Sequence, residues 1–261
     1  MTTVFITGAS SGIGAALART YAAQGARLGL LARRQEALET LRQSLPNPDW
    51  HHIYPVDVRD HAALASAAAD FLQKNTEVHV VIANAGISVG TLTECEGDLA
   101  IFERVLETNL TATVATFAPF IAQMKQIAPQ HPCRLVGIAS VAGIRGLPGA
   151  EAYSASKAAV ISYCESLRVE LRKTGIRVVT IAPGYIDTPM TQVNTYAMPF
   201  LMPVEKFAQQ AVATIAAGSS YRVIPWQMGW VAKLLRLLPN AVYDFAFARA
   251  PHKARAGAAK E

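Results

Sequence analysis

Along the chain, short β-branched and apolar runs alternate with longer stretches in which apolar positions recur every three or four residues. The runs fall at 4–6, 28–31, 53–56, 78–83, 135–139, 178–181 and 222–224 and predict strands. The longer stretches, at 12–24, 35–45, 61–74, 99–127, 153–173 and 204–217, predict helices. Val78-His79-Val80-Val81-Ile82-Ala83 shows almost no polar alternation, which fits a strand covered on both faces. Strands separated by helical stretches predict βαβ units. The expected architecture is a doubly wound, Rossmann-type α/β fold: a mostly parallel seven-stranded sheet with helices on both faces. No repeat or linker interrupts the pattern, so residues 1–225 read as one domain followed by an appendage at 226–261.

Composition narrows the picture without changing it. Of 261 residues, 51% are hydrophobic and 16% charged, which excludes a disordered chain and allows one sizeable core. No unbroken apolar run reaches the length of a membrane span, and the first residues lack the basic n-region of a signal peptide. Three cysteines (Cys95, Cys133 and Cys164) form no C-x-x-C pair and fit a reducing compartment; the expectation is a cytoplasmic protein. The six histidines show no metal-ligand spacing, so no metal site is expected. The net charge of +5 lies wholly in the last 41 residues, which hold seven bases and two acids. A neutral body with a basic end does not describe a nucleic-acid-binding face.

Directly after the first strand comes Gly8-Ala9-Ser10-Ser11-Gly12-Ile13-Gly14, leading into an alanine-rich helix. A strand that turns sharply into a helix needs glycine where φ is positive and where backbone approaches a phosphate. The helix N-terminus offers free N–H groups to a pyrophosphate. A glycine-rich turn without ligand is the competing reading, and the flanking strand and helix favour the dinucleotide. An NAD site commonly places Asp or Glu after the second strand to hold the ribose hydroxyls. Here the strand is followed by Arg33-Arg34, 33 − 14 = 19 residues past the last loop glycine. Guanidinium groups hold a 2′-phosphate that a carboxylate would repel, so NADP(H) is expected over NAD(H).

These residues resemble the short-chain dehydrogenase/reductase family in its shorter, single-domain branch. The likeness rests on Thr7-Gly8-Ala9-Ser10-Ser11-Gly12-Ile13-Gly14, Asn84-Ala85-Gly86, Asn109, Ser140, Tyr153-Ser154-Ala155-Ser156-Lys157 and Pro183-Gly184, in that order beside the expected strands. The resemblance implies that Asp57 and Val58 contact adenine, and that Ile186 and Thr188 contact the nicotinamide carboxamide. It also implies that Asn109 holds a water relaying protons to Lys157, that Lys157 binds the nicotinamide ribose, and that the protein is a homodimer or homotetramer.

The chemistry also follows from the residues. Tyr153 and Lys157 lie at i and i+4 and so share a helix face. A nearby ammonium favours phenolate, which suits a tyrosine acid/base working far below its ordinary pKa. Ser140, at the end of the fifth strand, is placed to orient a carbonyl oxygen. The expected activity is hydride transfer between NADP(H) and a carbonyl or alcohol. The rival is a nucleotide-sensing protein of the same fold without turnover.

Between 188 and 204 there is no charged residue, but there are three methionines together with Tyr196, Phe200 and Leu201. The resemblance implies that this stretch is the lid over the substrate. Either it shapes an apolar pocket for a neutral, hydrophobic substrate, or it only packs onto the body. Residues 226–238 fit an amphipathic helix with Trp226, Trp230, Leu234, Leu237 and Leu238 on one side and Lys233 and Arg236 on the other. Such a helix suits a roof over the substrate site, a subunit contact or a membrane surface. Residues 250–261, small and basic, are expected to be a mobile tail.

Overall fold

The computed structural model describes residues 1–194, 196–248, 253 and 255. β1 (Thr3–Thr7), β2 (Arg27–Ala32), β3 (His52–Pro55), β4 (Val80–Ala83), β5 (Arg134–Ile138), β6 (Arg177–Pro183) and β9 (Tyr221–Ile224) form one sheet in the order β3-β2-β1-β4-β5-β6-β9. Every neighbouring pair is parallel, giving the expected seven-stranded Rossmann-type sheet. The chain works outward from β1 to β3 and then returns to β4 beside β1. That reversal opens a crevice beyond the carboxyl ends of β1 and β4, where α/β sheets bind ligands.

Alternation along β1 divides the core between the two sheet faces. Val4 and Ile6 join a cluster with α1 (Gly12–Ala23), α2 (Gln35–Ser44) and α8 (Val204–Ala217), including Leu17, Leu38 and Phe207. Phe5 faces the other way, toward α3 (His61–Lys74), α5 (Ala112–Ile127) and α6 (Glu151–Glu170). Its ring centroid lies 5.3 Å from that of Phe71 and 5.0 Å from that of Phe120. Truncating so buried a ring to alanine costs about 3–5 kcal/mol.

Several element boundaries follow from local chemistry. Asp60 caps α3 by accepting from the Ala63 N–H at 2.9 Å, and Gly218, at φ 65°, ends α8 in the left-handed conformation. Other boundaries differ from expectation. The strand expected from residue 78 is paired only from Val80, and α6 starts two residues before Tyr153. The helix expected at 99–127 is α4 (Asp98–Leu106) joined to α5 through a π-helical turn, Glu107–Thr111. Among the described residues this composite helix, Asp98–Ile127, is long and apolar enough to cross a membrane. Its Phe117, Phe120 and Met124, however, are fully buried in the core.

The lid contains β7 (Ile186–Asp187), the short α7 (Pro189–Gln192) and β8 (Met202–Pro203), with β7 and β8 paired in parallel. Past β9, α9 (Trp226–Leu237) forms where a helix is expected, and α10 (Asn240–Phe247) follows it without having been expected. The orientation of α9 bears on its three expected roles, and none of residues 226–238 lines the cleft. Trp226, Trp230, Leu234 and Leu237 are 61–80% exposed, while Met228 and Ala232 are buried. Small residues decide this: a Cβ on Gly184 would lie 2.7 Å from Met228 Cγ, and one on Gly229 would lie 3.3 Å from Val223. The helix therefore docks through its 228–232 side, and among the described residues nothing covers the tryptophan stripe, as a subunit contact or a membrane surface would need. Residues 250–252, 254 and 256–261 of the expected mobile tail lie outside the described residues, but Lys253 and Arg255 are held against the body.

Candidate active site

At the switch point, the turn after β1 is built by glycines with two different duties. Gly8 and Gly12 adopt φ of 68° and 53°, which a side chain would strain. Gly14 has ordinary φ, but a Cβ there would lie 2.2 Å from the Gly8 carbonyl oxygen. Gly14 thus sets how closely α1 approaches β1 and does not line the cleft. No side chain caps α1, so its first N–H groups are available to an anion. Asn84 fastens the turn to β4: its Nδ2 donates to the carbonyls of Thr7 at 3.0 Å and Gly8 at 3.2 Å. Thr7 Oγ1 in turn accepts from the backbone N–H groups of Asn84 and Ala85.

The cleft above this turn has a volume of about 590 Å³, within the range of ligand pockets. At one end Arg33 and Arg34 follow β2, and Arg34 Nη2 donates to Ser10 Oγ at 3.3 Å, bridging over the glycine turn. Asp57 is gripped by Arg59, with Nη2 2.8 Å from Oδ2 and the Arg59 N–H 3.0 Å from Oδ1. That grip holds the Asp57 carboxyl below the usual carboxylate range, against a smaller opposing effect of burial. Among the described residues lining the cleft, Asp57 is the one carboxylate, set against Arg33, Arg34, Arg59, Arg104 and Lys157. This donor set fits a polyanionic dinucleotide.

At the other end β5 delivers Ser140 and α6 delivers Tyr153 and Lys157. Ser140 caps a 3-10 turn, Val141–Gly143, its Oγ accepting from the Ala142 N–H at 3.2 Å. A Cβ on Gly143 would lie 2.6 Å from the Lys157 backbone carbon, so only glycine lets this turn lie flush on α6. Ser140 and Tyr153 are thereby brought side by side. Lys157 is buried, donates to the Ile138 carbonyl at 2.8 Å, and places Nζ 5.8 Å from the Tyr153 ring centroid. Burial brings the Lys157 pKa down to about 8. Burial also raises that of the half-buried Tyr153, with the Ser140 hydroxyl opposing in part. The protein alone therefore keeps Tyr153 as a protonated phenol.

Every other expected cofactor position lines the cleft: Gly8, Ser10, Ser11, Gly12, Ile13, Arg33, Arg34, Asp57, Val58, Asn84, Ala85, Gly86, Pro183, Gly184, Ile186 and Thr188. Asn109 does not. Fully buried in the π-helical turn, it accepts from the Ile87 N–H at 2.8 Å and donates to the Ile87 carbonyl at 3.0 Å and Ser156 Oγ at 2.9 Å. Its carboxamide is committed to fixing the loop after β4. The lid contributes Met190 to the cleft, whereas Met202 is buried in the core in β8. The cleft also holds Arg59, Arg104 and Thr108, which the motifs did not point to.

The fold gathers Glu77, His79 and His131, ligand-type residues that their spacing does not bring together. His79 Nδ1 accepts the Thr3 N–H at 3.2 Å, which leaves the ring proton of a neutral His79 on Nε2, facing Glu77 at 3.3 Å. A ring nitrogen that keeps its proton is no metal ligand, so the cluster reads as a hydrogen-bonded network.

Comparison with known proteins agrees with the geometry. The family model for short chain dehydrogenases matches residues 2–198. An uncharacterized oxidoreductase of Myxococcus xanthus is 35% identical over 249 residues, covering 95% of this chain and 96% of the relative. A sulfoacetaldehyde reductase of Chromohalobacter salexigens is 32% identical over 244 residues, covering 88% and 96%. Among solved structures, a 3-ketoacyl-(acyl-carrier-protein) reductase from Brucella melitensis complexed with NADH superposes with a TM-score of 0.78 at 22% identity, covering 85% of this chain and 96% of that one. Levodione reductase superposes at 0.76 with 27% identity, covering 85% and 95%. The chain belongs to the short-chain dehydrogenase family. It is an oxidoreductase with the NAD(P)-binding fold of that family.

Proposed function

We propose that the protein is an NADP(H)-dependent reductase/dehydrogenase that interconverts a carbonyl and an alcohol on a small molecule with an apolar body. The observation that carries this reading is the convergence of Ser140, Tyr153 and Lys157 at one end of a cleft whose other end is framed by Arg33 and Arg34. NADPH bound there would supply a hydride to the carbonyl carbon. Tyr153, held protonated by burial, gives its proton to the carbonyl oxygen as negative charge develops. Ser140 donates to that oxygen and orients it. Lys157, with a pKa near 8, carries charge at neutral pH and gives it up more readily than an ordinary lysine, which suits re-protonation of the phenol.

The preference for NADP(H) rests on Arg33, Arg34 and the lack of a carboxylate at the end of β2, which closes with Ala32. The apolar body is supported by Met190 and Pro189 of the lid and by Ile87 and Val89 opposite. A homo-oligomer is supported by the exposed α9 stripe, whose apolar area a second copy would cover. NADPH-oxidation screening against a diverse carbonyl panel tests the function. Turnover that disappears in Tyr153→Phe while NADPH affinity stays is the expected result. Full turnover in that variant removes Tyr153 from the chemistry.

A further inference from the structure

Lys253 lies against the catalytic tyrosine, and described residues before and after it in the chain are anchored to the body. Upstream, Arg145 lies over the Tyr243 ring, 3.9 Å from its centroid, and donates to the Leu238 carbonyl and Asn240 Oδ1 at 2.8 and 3.1 Å. Tyr243 donates to the Gly146 carbonyl. These contacts clamp α9 and α10 to the loop that follows Ser140. Downstream, Arg255 closes a two-pronged ion pair on Asp98, the first residue of α4, with Nε 2.8 Å from Oδ2 and Nη2 3.2 Å from Oδ1. The Asp98 side chain is 5% exposed and also accepts the Leu92 N–H at 2.8 Å, while the Arg255 backbone bridges to Gly90. A buried carboxylate matched in this way holds Arg255 firmly in one place.

Between the anchors, Lys253 brings its Nζ to 5.8 Å from the Tyr153 ring centroid. It is half-buried, and among the described residues no carboxylate forms an ion pair with it and no group hydrogen-bonds to it. Burial lowers its pKa. A partly desolvated ammonium that meets no counter-charge among the described residues carries a cost that an arriving anion would relieve. Ile87, Val89 and Met190 give the cleft that Tyr153 lines an apolar stretch of wall.

We infer that Lys253 docks an oxyanion on the substrate, so that the enzyme favours carbonyl compounds bearing a carboxylate or sulfonate within a few bonds of the reacting carbon. This inference rests on the reductase reading and replaces the expectation of a neutral substrate. Lys253 is a specificity-determining residue, and Arg255 and Asp98 are positioning residues for it.

The test uses the full chain with NADPH and matched aldehydes, 4-oxobutanoate and its methyl ester, with a short aldehyde sulfonate as a second anionic arm. The readout is the ratio of kcat/KM for anionic over neutral aldehyde. The ratio is expected to fall about tenfold or more in Lys253→Gln, the loss of one charge-assisted hydrogen bond, and to be largely restored in Lys253→Arg. Asp98→Asn, which weakens the anchor, is expected to lower it in the same direction. A ratio unchanged in Lys253→Gln overturns the inference, including the case in which both aldehydes slow by one factor, and leaves the reductase reading standing. If none of these aldehydes turns over, quenching of bound-NADPH fluorescence by 4-hydroxybutanoate decides it: equal binding by wild type and Lys253→Gln overturns the inference. The reductase reading fails separately, by an absence of turnover across the diverse panel.

Discussion

The ammonium of Lys157 donates to the Ile138 carbonyl at 2.8 Å, at the carboxyl end of β5, and is not turned onto the Tyr153 phenol one helical turn away. A lysine with one backbone acceptor and little water loses more solvation than it recovers, which is why its pKa falls to about 8. The consequence for stability has a definite sign. Between pH 8 and the ordinary lysine value near 10.5, the unfolded chain holds a proton that the folded chain has released. Stability from this group therefore rises with pH across that window and is constant below it. The full span corresponds to on the order of 3 kcal/mol. Lys157→Met is expected to be more stable than the wild type at pH 7, with the gap closing by about pH 10.5, and to have lost turnover. Denaturant melts of both proteins from pH 7 to 10.5 check this; a constant gap would contradict it.

The bridge from Arg34 to Ser10 leaves Arg33 and Arg34 exposed at the mouth of the adenosine end, with Asp57 neutralised by Arg59. Removing both guanidinium groups through Arg33→Ala with Arg34→Ala is expected to weaken NADPH binding tenfold or more and NADH binding far less. Titration of each cofactor by fluorescence gives the two affinities. The NADPH effect is expected to shrink as salt is raised, because both arginines face solvent. Discrimination that survives the double substitution would move the phosphate site elsewhere.

What the sequence made legible was local. The β-branched runs placed strands to within a residue or two, and capping chemistry at Asp60 and Gly218 fixed helix ends where they were expected. The glycine turn and the Tyr153–Lys157 pair could be placed because they sit at a strand end and on a helix face that periodicity defines, while Asn84 and Ser140 came from the family resemblance. What was not legible depended on tertiary partners. Nothing in Glu107-Thr108-Asn109 announces a π-helical turn, which exists because Asn109 must meet Ile87. Met202 and Met190 look alike in an uncharged stretch, and only the β7–β8 pairing sends the first into the core. The role of Lys253 depends on an ion pair between residues 157 positions apart, which no local pattern encodes. Which side of α9 meets the body was not legible either, because close packing on Gly184 selects Met228 and leaves the tryptophans outward.

Gly14 gives a prediction that separates packing from ligand contact. A Cβ at this position would meet the Gly8 carbonyl oxygen at 2.2 Å and Asn84 Nδ2 at 2.7 Å, and the first of these is backbone that cannot swing aside. Gly14→Ala is expected to cost about 1–3 kcal/mol by overpacking and to weaken NADPH binding as α1 is pushed off β1. Thermal melting together with NADPH titration reads both effects. A loss of affinity with unchanged stability would mean that Gly14 meets the cofactor directly, contrary to its place behind the cleft.

Asn109 distinguishes a clamp from a proton relay. Its carboxamide makes three hydrogen bonds, to both backbone groups of Ile87 and to Ser156, with no exposure to solvent. In Asn109→Ala the Ile87 N–H and carbonyl lose their partner, and each unsatisfied group costs about 1–3 kcal/mol. For a chain of this size that lowers Tm by roughly 5–15 °C. Because Gly86 and Ile87 line the cleft, the KM for NADPH should rise alongside a fall in kcat. A relay acting only on the proton would behave differently, lowering kcat and enlarging the solvent isotope effect while Tm and KM stay put. Melting curves, steady-state constants in light and heavy water, and the Asn109→Asp variant, which keeps the acceptor but buries a charge, together decide between the two. Unchanged Tm in Asn109→Ala would overturn the clamp.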